Sequence, residues 1–171
     1  MERSYEKITK KDLKKVLDLA KNDIEEFFKK YPKYGEVYSG SEVLVALGQG
    51  AALHYINGRN GIKDFDVWFF YPKKKITLPY RRRGKVDYGL SRFGKHPNDK
   101  DYNGRRIDVL MRSDVFFNSG KPEDCLINYL SERNTSTSKL LSKKAMIGLW
   151  PDQLFGKILW PSEESMGGVR S

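Results

Sequence analysis

Asp64 and Asp66 stand two residues apart in the run GIKDFDVWFF (61–70), and Asp108 stands in RRIDVLM (105–111). Acids inside such apolar runs are costly unless something cationic meets them. Side chains two apart on a strand share a face, about 6–7 Å from one another. Asp64 and Asp66 therefore point the same way as Trp68 and Phe70, while Phe65, Val67 and Phe69 fill the other face. If the strand carrying Asp108 lies beside this one, at about 4.8 Å, three carboxylates converge at one end of a sheet and repel one another. A hard divalent cation resolves that repulsion, and Mg²⁺ (or Mn²⁺), which takes carboxylate and phosphate oxygens together, suits the donor set. Two such ions activate an attacking hydroxyl and steady a departing pyrophosphate. The competing reading makes the same acids turn caps or partners of Arg105, Arg106 or Arg112.

A second element precedes the acids. In LVALGQGAALHYIN (44–57), a buried strand over Glu42 to Leu47 ends at a tight Gly48-Gln49-Gly50 turn, and a short helix is expected from Ala51 to Ile56, closed by Asn57 and Gly58. Glycines let a backbone approach a ligand closely, and the amides that open a helix at Ala51 are a seat for phosphate. A plain strand-to-helix connection would use the same residues.

Taken in order, LVALGQGAALHYINGRNGIKDFDVWFF followed by GRRIDVLM resembles the polymerase β-like nucleotidyltransferase superfamily: an apolar strand, a small-residue turn, a short helix, Asp-x-Asp on the next strand and a third acid on a later one. GQGAAL is also similar to the Gly-Gly-Thr-Ala-Leu form of the abortive-infection type of nucleotidyltransferase toxins. The likeness covers roughly residues 43 to 112. It implies that Asp64, Asp66 and Asp108 are the metal site, that Asp108 helps activate the acceptor hydroxyl, and that Gly48, Gln49, Gly50 and Ala51 frame the phosphates of an NTP. Gln49 separates the glycines and Ala51 and Ala52 follow, where the superfamily usually has a hydroxyl, so phosphate contact rests on backbone amides or on Gln49. SKKAMIGLWPDQLFG lacks the charged Arg-Asp pattern of the toxins, although Lys143 or Lys144 can reach a triphosphate. The implied acceptor is a hydroxyl on RNA such as tRNA, then on a protein or a small molecule such as an aminoglycoside, and the toxin likeness makes an antitoxin-like protein a candidate partner. A metal-dependent nuclease and a non-catalytic nucleic-acid-binding module with the same fold are the alternatives.

The elements that must position these residues form an α/β (α+β) pattern: a small mixed sheet flanked by helices. Thr9 with Asp12 starts a helix whose apolar positions, Leu13, Val16, Leu17, Ala20, Ile24, Phe27 and Phe28, recur at helical spacing until Pro32 stops it. Phe65 to Tyr71 and Arg105 to Arg112 are strands, the latter with Ile107, Val109 and Met111 on one face and Arg106, Asp108 and Leu110 on the other. Residues 72–104 read as a basic excursion with a strand near Val86 to Leu90. Pro122, Glu123 and Asp124 open a helix carrying Leu126, Ile127, Tyr129 and Leu130. Asn134 to Ser138 breaks it, a further helix is expected over Lys139 to about Leu149, and a short apolar piece ends at Trp160.

At 171 residues the chain fits one domain, 1–161, with a loose tail at 162–171. Aromatics at 13% argue against disorder, and the net charge of +10 favours polyanionic partners. Cys125, the single cysteine, excludes an internal disulfide and reads as a small buried helix residue, in keeping with a reducing, cytoplasmic setting. No signal-peptide pattern or membrane-length apolar stretch is present, so no membrane partner is expected. His54 reads as a packed or surface histidine.

Overall fold

The computed structural model describes residues 6–58, 62–80, 86–89, 93 and 106–161. The expected turn at Asn60-Gly61, the Arg81 to Arg83 run, Leu90, Arg105 and the 162–171 tail lie outside the described residues. Within them the architecture is mixed α/β: one six-stranded sheet in the order β3-β4-β2-β1-β5-β6, with helices on both faces.

The first helix, α1 (Lys10–Lys30), starts where Thr9 and Asp12 form a reciprocal capping box. Asp12 also accepts a hydrogen bond from the Tyr88 hydroxyl at 2.7 Å, so one carboxylate both caps the helix and ties it to the far edge of the sheet. The apolar stripe of α1, Leu13, Val16, Leu17, Ala20, Ile24 and Phe28, is buried. Pro32 does more than stop the chain: after a one-residue break it opens a second helix, α2 (Pro32–Tyr38), because proline at a first helical position forfeits no hydrogen bond.

Three strands position the acids. β1 (Leu44–Gly48) is buried throughout and leads into α3 (Gln49–Asn57). This helix begins two residues earlier than its apolar pattern suggests, and Gly58 closes it at φ 64°. β2 (Asp64–Pro72) pairs antiparallel with β1, and β4 (Arg106–Asp114) pairs parallel with β2 along its whole length. The short β3 (Val86–Asp87) borders β4.

The alternation expected for β2 and β4 holds. Phe65, Val67, Phe69, Ile107, Val109 and Met111 join α1, α2 and α3 in one core, whereas Trp68, Phe70 and Leu110 lie in a second core on the opposite face. That second core is roofed by α4 (Pro122–Glu132), opened by proline and two acids as expected, and by α5 (Ser136–Leu141), whose Thr135–Ser138 capping box replaces the expected polar break.

The expected helix over 139–149 is corrected. It ends at Leu141, and Ala145–Trp150 is strand β5, paired with β1 and with β6 (Ile158–Trp160). AMIGLW is buried on both faces of a sheet, so its continuous apolar character fits a central strand as well as a helix. Gly148 makes this hairpin possible: a Cβ there would collide with the Leu154 carbonyl oxygen.

Candidate metal centre

The sheet register gathers the acids. Gly48 of β1 is opposite Asp66 of β2, and Asp66 is opposite Asp108 of β4, so the three form one row across the sheet. Asp64 lies two residues away on the same face. Each of the three aspartates offers a carboxylate oxygen within 4.8 Å of the others. Asp108 is buried, and Asp64 and Asp66 are half-buried. An all-carboxylate donor set at this spacing fits a hard divalent ion such as Mg²⁺ or Mn²⁺, with room for phosphate or water oxygens to complete the shell.

The turn beside the acids differs in detail from the expected one. Gly48 is extended, at φ −117°, and acts as the N-cap of α3 without a side-chain hydrogen bond. The left-handed residue is Gln49, at φ 60°, a conformation that costs a non-glycine residue about 1 kcal/mol or more. Glycine at 48 answers packing: a Cβ there would stand 3.0 Å from the Met146 sulfur and 3.2 Å from Trp68 Cδ1. At Gly50, in the first turn of α3, a Cβ would meet nothing within 4 Å. Ala51 is buried, so it offers the site its backbone amide rather than its methyl group. With no side-chain cap, the first amides of α3 and its positive dipole end stand beside the row of acids.

Two more groups border the site. Ala145, at the start of β5, forms an antiparallel bridge with Gln49, which brings the chain just after Lys143 and Lys144 next to the turn. Tyr80, about half exposed, has its ring centroid 6.0 Å from that of Trp68. Partial burial, then the neighbouring charges of Asp66 and Asp108, push its phenol pKa up, with Arg112 opposing them. Sequence spacing carries no sign of this: beyond β2 the chain passes α2, where the Tyr38 hydroxyl donates to the Ile76 carbonyl oxygen and Leu78 joins the first core, before Tyr80 reaches Trp68 on the acid-bearing face, so a loop path and not a periodicity places Tyr80.

Other candidates lie elsewhere. His54 is packed, its Nε2 donating to the Glu6 carbonyl oxygen at 3.0 Å. Cys125 is buried on α4, donates to the Ser119 carbonyl oxygen at 3.1 Å, and has its thiol pKa raised by burial and then by Asp124, which keeps it in the unreactive protonated form. Trp160 is part of the second core, its indole N–H donating to the Ser142 carbonyl oxygen. Among the described residues no helix is long and apolar enough to cross a membrane. No family model, curated protein or solved structure matches this chain.

Proposed function

We propose that this protein is a divalent-metal-dependent nucleotidyltransferase that moves a nucleoside monophosphate from an NTP to an acceptor hydroxyl. One observation carries the reading: three carboxylates on adjacent parallel strands, all with ligand oxygens within 4.8 Å, beside the uncapped start of α3. Asp64, Asp66 and Asp108 would hold the metal, which supplies charge neutralisation to the phosphate oxygens and to the departing pyrophosphate.

The chain's own groups do the rest. The first amides of α3 and the Gln49 carboxamide receive the triphosphate, with Lys143 or Lys144 adding positive charge. Asp108, the most buried of the three aspartates, orients the acceptor hydroxyl and takes its proton. The hydroxyl oxygen bonds to the α-phosphorus, the bond from that phosphorus to the bridging oxygen breaks, and pyrophosphate leaves. Positioning and electrostatics account for most of the rate in such transfers. The positive charge of the chain favours RNA as the acceptor, and the lone buried thiol accords with the cytoplasm.

The test is incubation of the pure protein and Mg²⁺ or Mn²⁺ with each α-labelled NTP and with cellular RNA and protein. Labelled product with equimolar pyrophosphate, lost in Asp64→Asn, supports the transferase. Shortened RNA identifies a nuclease, and RNA affinity without turnover identifies a binding module.

A further inference from the structure

At the far end of β4 lies a cavity of about 260 Å³ lined by Lys73, Thr77, Leu78, Arg112, Ser113, Asp114 and Val115; Leu78 reaches it from the first core, whereas Arg112, opposite Phe70 on β2, stands on the acid-bearing face. Arg112 is half-buried, and its Nε is shut off from solvent with no hydrogen-bond partner among the described residues. It makes no ion pair among them either: the acid nearest in sequence, Asp114, uses its side chain to accept the Phe116 amide at 3.1 Å. A guanidinium so placed, with a lysine across from it and the hydroxyls of Thr77 and Ser113 in the wall, is an anion site in want of its anion.

Its position says which anion. Arg112 is four residues along β4 from Asp108, about 13 Å at the usual strand rise, too far for a triphosphate seated on the α3 amides two strands away from β4. The strand that delivers the acceptor hydroxyl would cross this face. Between cavity and acids stands Tyr80, exposed by 52% and close enough to feel Asp66, Asp108 and Arg112 together. An exposed aromatic between a metal site and a cationic hole is the arrangement that holds single-stranded nucleic acid, with a base on the ring and a phosphate in the hole. Lys73, Thr77 and Leu78 of the cavity wall belong to a segment with seven basic residues and no acid between Pro72 and Val86.

We propose that this cavity binds a backbone phosphate of a single-stranded nucleic-acid acceptor: Arg112 and Lys73 grip the phosphodiester, and Tyr80 stacks a base between it and the acids. The proposal rests on the transferase reading for the direction of the strand, but the cavity's affinity for nucleic acid does not need turnover.

The experiment uses the full chain and a fluorescein-labelled 12-nucleotide single-stranded RNA, read by anisotropy in EDTA without NTP across a salt series. Arg112→Gln and Lys73→Ala are each expected to raise Kd about 3–10-fold and to flatten the slope of log Kd against log salt by about 0.7, one released counterion's worth for a single strand. Tyr80→Ala is expected to raise Kd with the slope unchanged. Lys11→Ala, an exposed residue on α1 remote from the cavity, is the control. Lys73 is exposed, so its variant tests the site even if Arg112→Gln folds poorly. Kd and slope unchanged from wild type in Lys73→Ala, and in Arg112→Gln with a native melting profile, overturn the proposal. NTP labelling that persists alongside that result leaves the transferase standing; lost RNA affinity without any labelling in wild type does the reverse.

Discussion

Asp66 and Asp108 face each other across a parallel strand pair, in register, with Gly48 completing the row on the antiparallel side. The geometry is set by backbone pairing over the full length of β2 and β4, not by a loop. Its first consequence concerns metal. Mg²⁺ or Mn²⁺ is expected to raise the melting temperature of the wild type, by about 2.7 kcal/mol of added stability at a hundred times Kd. Asp108→Asn is expected to melt as the wild type does in EDTA within a few degrees, to lose the metal-dependent rise, and to lose NTP transfer by about 100-fold or more. Calorimetry with and without chelator measures the first two; a metal response that survives in Asp108→Asn sinks the assignment.

The two glycines answer to different forces, and alanine separates them. Gly48→Ala drives a methyl into the Met146 sulfur and Trp68, both fully buried, and is expected to destabilise by about 1–3 kcal/mol. Gly50→Ala meets nothing and favours the helix, so it is expected to leave stability unchanged or raise it by up to about 1 kcal/mol. If the open space at 50 is where phosphate approaches, Gly50→Ala also raises the KM for NTP. Urea unfolding and steady-state kinetics on the pair read this directly, and a Gly50→Ala protein with wild-type KM removes the phosphate role of that position.

The acids and their faces were legible because a strand's period of two is unambiguous wherever aromatic and β-branched residues alternate with aspartates, as at Asp64–Phe70 and Ile107–Met111. The first helix was legible through the Thr9–Asp12 box. β5 was not. A six-residue apolar run has no period to read, and its strand character comes from Gly148, whose amide donates to Lys157 and whose carbonyl accepts from Gly156. Tyr80 and the cavity at Arg112 were hidden for a different reason: the loop after β2 carries Tyr80 to Trp68 and sets Lys73, Thr77 and Leu78 against Arg112, and chain spacing does not encode that path.

Tyr71 supplies a pH prediction. Its hydroxyl is buried with no hydrogen-bond partner among the described residues. Burial first, and then Glu42, push its pKa well above the ordinary 10.0. The folded state thus keeps the proton that the unfolded chain gives up above about pH 10. Stability from this group is complete below that pH and is lost as pH rises past it. Tyr71→Phe is expected to flatten the alkaline limb of the stability curve and, by removing an unsatisfied hydroxyl, to stabilise by up to about 1 kcal/mol at neutral pH. Equilibrium unfolding between pH 7 and 11 tests it; an alkaline limb as steep in Tyr71→Phe as in the wild type refutes it.

Asp12 joins two elements through one side chain. Its Oδ2 accepts from the Thr9 amide at 2.7 Å and the Thr9 hydroxyl at 2.8 Å, while its Oδ1 accepts from the buried Tyr88 hydroxyl at 2.7 Å. Lys15 lies over the Tyr88 ring, 4.2 Å from its centroid, so the tyrosine is held from both sides by α1. Asp12→Ala removes the capping box, worth about 1 kcal/mol, and leaves the Tyr88 hydroxyl without this acceptor, at about 1–3 kcal/mol more. Tyr88→Phe loses the same hydrogen bond while leaving the cap intact, so it is expected to cost about 1 kcal/mol and to make the second substitution partly redundant. The double-mutant cycle is therefore expected to show a coupling of about 1 kcal/mol or more. Additive losses would mean that Asp12 acts on the helix start alone and that the β3 edge is held by the aromatic contacts of Tyr88 with Phe65 and Phe93.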